Sequence, residues 1–243
     1  MIEPLLLTLT SVKTMYHMQE LTKATGFFFE RENRLYLITA RHVVIDEQSS
    51  HKPNRLIINL HINPENITET TDFSIPLYDN GKKLWVEVFD SGGLVDVCAI
   101  ELDRNALGEK VFLRSFNLEQ LVKPTDEIEV GTSAVIAGFP LGFFDNLHKL
   151  PVARKALIAS SFGIRFQGLG YFLTDANMHR GSSGAPVVVR TKGVNTKRSD
   201  LRWKLIGIHT TQMDMATRDK NEDDPLNLNC AWYADVLLAL TKT

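Results

Sequence analysis

Cysteine is scarce in this 243-residue chain: Cys98 and Cys230 are the only two, and neither has a close cysteine neighbour. Two cysteines do not make the disulfide framework that staples small secreted domains, and no zinc-ligand spacing surrounds them. Cys98 lies in the apolar run Val97-Cys98-Ala99-Ile100 and reads as a buried, reduced thiol. An excess of charge of one sign is also missing. The formal net charge is -2, which gives no basic footprint for nucleic acid and no pull toward anionic lipid. No stretch approaches the roughly 18 apolar residues of a membrane span. The start, Met1-Ile2-Glu3-Pro4-Leu5-Leu6-Leu7, lacks the basic region, long apolar core and small-residue cleavage site of a secretory signal. Repeats, low-complexity tracts and sustained helical periodicity are missing too. The expectation is a cytoplasmic protein with no metal, no cofactor, and no nucleic-acid or membrane partner.

What is present is a succession of short β-branched and aromatic runs separated by Gly, Pro, Asn or Asp. They predict strands over 25–30, 35–39, 55–61, 84–89 and 95–102. A second series follows over 133–139, 156–162, 171–174, 186–190, 204–209 and 229–233. A short C-terminal helix is predicted over 234–241 and a helical turn over 118–122. Many short strands with few helices argue an all-β barrel or sandwich. Residues 117–129, which include Pro124 and several charges, read as a linker. The expected organisation is two small barrels, 1–120 and 121–243.

Three local sequences carry chemistry. In Leu37-Ile38-Thr39-Ala40-Arg41-His42-Val43-Val44, an apolar strand ends in small residues and leaves His42 at the turn. In Val95-Asp96-Val97-Cys98-Ala99-Ile100, a carboxylate sits in an apolar strand. Burying it is costly without donors, and an imidazole N–H is a suitable one. In Gly181-Ser182-Ser183-Gly184-Ala185-Pro186, glycines flank a serine, so the backbone can turn tightly and aim successive N–H groups into one concavity. Each pattern alone has an ordinary structural explanation. Together they supply a serine nucleophile, a base near neutral pH and a carboxylate to orient it. The order His, Asp, Ser is that of chymotrypsin rather than of subtilisin or the α/β-hydrolases.

The chain thus resembles the chymotrypsin/trypsin family of serine proteases, in particular its bacterial HtrA-type and glutamyl-endopeptidase-like branch. The resemblance runs from about residue 25 to 240. Thr25-Gly26-Phe27 resembles the S/T-G strand before the catalytic histidine, and Thr39-Ala40-Arg41-His42-Val43-Val44 resembles T-A-x-H-V-V. Asp96-Val97-Cys98-Ala99-Ile100 resembles D-[LIV]-A-[LIV]. Gly138-Phe139-Pro140-Leu141-Gly142 resembles the G-[YFN]-P-x-G turn. Thr174-Asp175-Ala176 followed by 181–186 resembles T-D-A…G-N-S-G-G-P.

The resemblance implies two six-stranded antiparallel β-barrels with the active site between them. It makes Ser183 the nucleophile, His42 the general base and acid, Asp96 the orienting carboxylate, and the N–H groups of Gly181 and Ser183 the oxyanion hole. Some positions depart from the family pattern. Ser182 stands where digestive trypsins have an Asp, and no I-V-G-G start is present, so activation by N-terminal cleavage is not expected. Ala185 replaces the usual second Gly. Too few residues follow Leu240 for a PDZ-like extension, so no HtrA-style regulatory domain is expected in this chain.

The family's P1 pocket implies Asn177, Met178, His209 and Thr210 as substrate-binding residues. Asn177 in place of an Asp argues against Lys or Arg at P1. Gly207-Ile208-His209 resembles the G-x-H of glutamyl endopeptidases and viral 3C-like proteases, which points to P1 Glu or Gln. Met178, where those enzymes carry a polar residue, leaves a small or apolar P1 residue open. Two charged stretches, 190–204 and 214–224, read as solvated loops near the pocket, and 143–150 with Phe143 and Phe144 is a candidate lid. The expected partner is a protein or peptide substrate, with a regulatory protein as a second expectation. Two other functions use the same residues: a non-catalytic module that binds a peptide strand, and a general esterase.

Overall fold

The computed structural model describes residues 2–123, 125–191, 200–214 and 226–242. The first half holds β1 (Leu9–Tyr16), β2 (Gln19–Arg31), β3 (Arg34–Thr39), β4 (Arg55–His61) and β5 (Thr70–Pro76). A small hairpin, β6 (Tyr78–Asp79) and β7 (Lys82–Lys83), precedes β8 (Val86–Asp90) and β9 (Gly93–Leu102). The second half holds β10 (Ser133–Gly138), β11 (Val152–Ile158), β12 (Tyr171–Asp175), β13 (Ala185–Arg190), β14 (Trp203–Met213) and β15 (Leu228–Tyr233). Among the described residues there are three short α-helices: α1 (Arg41–Val44), α2 (Arg104–Leu107) and α3 (Val236–Leu240).

The second half closes as a six-stranded antiparallel barrel, in the order β10-β11-β12-β15-β14-β13. The first half is a seven-stranded sheet, β5-β4-β1-β2-β3-β9-β8. Its end strands share no ladder, so among the described residues it is one strand larger than the expected six and open at the seam. Residues of β5 and β9 nevertheless share one core, with Ile75 packed in the same cluster as Cys98, Ile100 and Leu102. The sheet is therefore rolled around that core.

Alternation explains why three strands of the first half carry unbroken apolar runs. Side chains along a strand point to opposite faces in turn. On β2, Phe28 faces the core of the first half, whereas Phe27 and Phe29 face a second cluster shared by both halves. On β3, Leu35 and Leu37 point inward while Tyr36 and Ile38 point to the shared cluster. On β9, Cys98 and Ile100 point inward, and Val95, Val97 and Ala99 point to the shared cluster. That cluster also takes Phe116, Phe139, Val188, Trp232 and Leu237. The two halves are thus joined by a buried apolar layer, and the candidate site lies along it.

The sequence did not announce every element. β1 was not expected, because two of its buried positions are threonines. Thr10 and Thr14 are buried, with hydroxyls satisfied by the Asn59 carbonyl at 2.8 Å and by Thr22 Oγ1 at 2.8 Å. β5 was also missed: it is an edge strand, polar and ended by Pro76, as exposed edges tend to be. β11 begins four residues before the predicted 156–162. The segment read as a linker starts with a 3₁₀ turn at Leu118–Gln120, capped reciprocally by Asn117 and Gln120. It then docks on the barrel through the Val122 N–H and the Leu205 carbonyl at 3.2 Å. Pro124 lies outside the described residues. So do Lys192, Lys197, Arg198, Asp219, Glu222, Asp223 and Asp224 of the two charged stretches.

Phe27 is fully buried in the shared layer and meets Phe116 edge-to-face, with ring centroids 5.7 Å apart. Phe27→Ala should destabilise the protein by about 3–5 kcal/mol. Urea unfolding followed by tryptophan fluorescence checks this, and a shift of the midpoint at unchanged slope is the expected form.

Candidate active site

His42 sits on the single turn α1. The turn is fixed by the Val43 N–H on the Ala40 carbonyl at 3.1 Å and the Ile45 N–H on the Arg41 carbonyl at 3.0 Å. Val43 and Val44 are buried beneath it. The preceding residue, Arg41, anchors the turn from the side. Its guanidinium grips both oxygens of Glu47, at 2.7 and 3.1 Å, and donates to Glu87 on β8 at 3.0 Å. Glu87 also accepts from Lys83 at 2.7 Å and from the Trp85 indole at 3.1 Å. A bidentate arginine adds geometric specificity that a single contact lacks. Glu47, Glu87 and the anchoring role of Arg41 carry no motif and were not read from the sequence.

Asp96 projects from β9 between two core residues, Val95 and Val97. Its Oδ1 accepts the backbone N–H of His42 at 3.0 Å. The imidazole Nδ1 lies 2.9 Å from Oδ2 and 3.2 Å from Oδ1. A carboxylate can only accept, so Nδ1 carries the proton and Nε2 keeps its lone pair. Burial pulls the imidazole pKa down, but the hydrogen bond and charge of Asp96, helped by Asp46, outweigh it. The net result lies above the ordinary histidine value.

Ser183 lies in the loop between β12 and β13, and the hydrogen bonding of that loop is nearly complete. The Arg180 carbonyl accepts from the Leu141 N–H at 2.5 Å, and the Gly181 carbonyl from the Thr25 hydroxyl at 2.8 Å. The Ser182 carbonyl accepts from Ala185 at 2.9 Å, and the Ser183 carbonyl from the Thr25 N–H at 3.0 Å. Of the N–H groups, Ser182 donates to the His179 carbonyl at 3.2 Å and Gly184 to the His209 carbonyl at 2.8 Å. The N–H groups of Gly181 and Ser183 meet no protein acceptor among the described residues. A trans peptide points its N–H opposite its C=O, so pinning the Arg180 and Ser182 carbonyls turns these two donors the other way. Gly181 has φ +90°, and a Cβ there would lie 2.5 Å from the Phe139 carbonyl. Only glycine suits that position.

Thr25 connects these parts. It is fully buried on β2. Its N–H and hydroxyl bind the serine loop, its Oγ1 accepts the Phe139 N–H at 3.1 Å, and its carbonyl accepts the Thr39 hydroxyl at 2.8 Å. Thr39 ends β3, three residues before His42. One threonine therefore ties the histidine turn to the serine loop. The sequence drew attention to Thr25 as part of a strand motif, without this bonding.

His42, Gly181 and Ser183 line one cleft of about 490 Å³, together with Lys23, Leu141 and Arg180. Within it, the Ser183 hydroxyl donates to the Thr210 carbonyl at 3.0 Å rather than to His42. The structure thus brings His42 and Asp96 into contact and places Ser183 on the same cleft, with its Oγ turned aside.

The remaining candidates lie on the other flank of Ser183. His209 is 2% exposed on β14, and its Nδ1 has no partner. Burial, with repulsion from His42, depresses its pKa to about 4, so the ring is neutral at pH 7. Thr210 is buried beside it. Met178 is not at the surface of a pocket: its side chain packs in the barrel core with Ile136 and Phe172. Asn177 is exposed, and its carbonyl accepts from the Arg154 guanidinium. Gln212, overlooked in the sequence, donates its side-chain amide to the Met178 carbonyl and so bridges the segments 176–180 and 209–213. In the candidate lid, Phe144 packs against Phe139 while Phe143 is exposed.

Comparison with known proteins agrees with this architecture. Residues 24–194 match the trypsin-like peptidase domain. The chain belongs to the trypsin-like peptidase family, a family of serine hydrolases. No curated protein matches the sequence. Among solved structures, a serine endoprotease from Yersinia pestis superposes with a TM-score of 0.55 at 14% identity, over 96% of this chain and 61% of that one. The chain thus spans about three fifths of that protein's length, and the likeness is one of fold.

The raised His42 pKa has a direct consequence. A base must be neutral to accept a proton, so activity falls as pH drops through the His42 pKa. The acid limb of kcat/KM should have its midpoint above about 6.5, the ordinary imidazole value. Asp96→Asn leaves burial opposed only by the charge of Asp46 and should move that midpoint down, while lowering kcat by about three to four orders of magnitude. Thr25→Val keeps the shape and deletes the hydroxyl. It should lower kcat about tenfold with little change in KM, and Thr25→Ser should restore it.

Proposed function

We propose that this trypsin-like peptidase domain hydrolyses peptide bonds through an acyl-enzyme on Ser183. The observation that carries the reading is the His42–Asp96 contact on a cleft that also holds Ser183 and two unengaged backbone donors. A rotation about one side-chain bond moves Oγ from the Thr210 carbonyl toward His42. His42 Nε2 takes the hydroxyl proton as Oγ attacks the substrate carbonyl. The resulting oxyanion falls to the N–H groups of Gly181 and Ser183, which need no reorganisation to meet it. His42 then protonates the leaving amine, the C–N bond breaks, and the acyl group stays on Ser183. A water molecule, deprotonated by the same imidazole, then attacks the acyl carbon; the ester C–O bond breaks, the acid product leaves, and His42 returns the proton to Ser183 Oγ. Asp96 keeps Nδ1 protonated throughout and balances the imidazolium charge.

For the residue before the scissile bond, the reading is Gln, with Glu second. Support comes from the unpartnered, buried Nδ1 of His209. A buried polar atom without a partner is costly, and a substrate amide would relieve it. The ring is neutral at pH 7, so a neutral amide costs less to bury beside it than a carboxylate. One observation favours a short side chain instead: Gln212 donates to the Met178 carbonyl and ties together the two segments that flank the proposed P1 position. A cytoplasmic setting agrees with two thiols that are both unpaired and buried.

Ser183→Ala should leave the circular dichroism spectrum unchanged and lower turnover of a cleaved peptide by several orders of magnitude. Normal turnover by that variant would remove the assignment. Cleavage profiling on a peptide library should show a preference for Gln or Glu that His209→Ala selectively weakens. A preference for Ala or Ser that broadens in Gln212→Gly would favour the short-residue reading.

A further inference from the structure

The active-site cleft does not end at His42. It opens into a second cavity of about 610 Å³, and the two share Glu20, Lys23, Ala24 and Gly142. The second cavity is lined by Lys13 on β1, by Asn59 and Asp72 on β4 and β5, and by Phe144 and Lys149 of the loop after β10. The result is a groove running from Ser183 past His42 and across the outer face of the first sheet. The chemistry fixes which part of a substrate it receives. His42 hands its proton to the leaving amine, so the chain on the His42 side is the one that follows the scissile bond. The flank at Thr210 and His209 takes the part that precedes it.

The charges along this groove are unevenly satisfied. Each lining carboxylate already has a partner. Glu20 lies 3.5 Å from Lys23, Asp72 accepts from the Asn59 amide at 2.9 Å, and Asp46 accepts from the Ser49 hydroxyl at 2.5 Å. Lys13, Lys149 and Arg180 have no carboxylate partner among the described residues. Lys149 instead lies over the Phe144 ring at 5.3 Å. Lys13 and Lys23 face each other directly across the β1–β2 ladder. Residues paired in this way point to the same face, and like charges so placed destabilise a sheet. The protein as a whole has a net charge of -2, so this cationic face runs against the overall balance.

We propose that the groove selects polypeptide substrates whose segment after the scissile bond is acidic. Carboxylates there would meet Lys13 and Lys149 and relieve the Lys13–Lys23 repulsion. The inference rests on the peptidase reading and adds a substrate class to it.

The test uses two quenched fluorescent peptides that carry Gln before the intended scissile bond. They are identical through the first two residues after the scissile bond, and differ further on by Glu in one and Gln in the other. Wild-type kcat/KM should favour the Glu peptide about three- to tenfold at low salt, and the margin should shrink as salt screens exposed charges. In the Lys13→Gln/Lys149→Gln double variant the ratio should fall to about one. Binding of the same peptides to Ser183→Ala, read by fluorescence anisotropy, should show the same order of affinity. Equal kcat/KM for both peptides, or a preference that survives in the double variant, overturns the inference and leaves the peptidase reading standing. If wild type turns over neither peptide while Ser183→Ala still binds the acidic one more tightly, the peptidase reading fails and the groove's selectivity remains.

Discussion

Everything in the candidate site depends on a buried polar joint at Thr25. Two rolled sheets packed through phenylalanines could slide without much cost, because apolar burial is non-directional. Thr25 supplies the direction. Its N–H, hydroxyl and carbonyl bind Ser183, Gly181, Phe139 and Thr39, so the serine loop and the strand leading to His42 share one reference point. In a low-dielectric layer such bonds are strong when made and expensive when lost. Gly184 is shaped by the same joint: a Cβ there would collide with the Thr25 carbonyl. The free donors of Gly181 and Ser183 follow from it, since they are what remains once the carbonyls of that loop are tied down.

Two histidines show how surroundings assign roles to identical side chains. His42 is half-buried against a carboxylate and is held above the usual imidazole range, where it can take and return a proton. His209 is fully enclosed, is pushed to about 4, and stays neutral with one nitrogen unpaired. The first environment suits proton transfer, and the second keeps the ring uncharged. Ser183 lies between them, within reach of the Thr210 carbonyl that neighbours His209.

Much of this was legible in the sequence, and the reasons are specific. β2, β3 and β9 are buried on both faces, so Phe27-Phe28-Phe29, Leu35–Ile38 and Val97–Ile100 appear as unbroken apolar runs. The glycines around Ser183 and the acid at Asp96, inside the apolar run from Val95 to Ile100, are chemical anomalies that local packing does not require. What escaped notice was either polar and buried or distant in sequence. The threonines of β1 conceal a core strand behind satisfied hydroxyls. The Arg41–Glu47–Glu87 grip joins residues whose spacing has no pattern. Gln212 acts through its side-chain amide on a backbone carbonyl far away in the chain, and nothing in its neighbours marks it. Met178 and Asn177 stand where the family places a pocket, yet one packs inward and the other faces solvent.

Ser183 is a weak nucleophile unless His42 takes its proton. Intact-mass analysis after exposure to a fluorophosphonate measures this most directly. It should find a single adduct on Ser183, formed more slowly as the pH falls and not formed in His42→Ala. Failure of the wild type to take up the label, or equal labelling of His42→Ala, would contradict it.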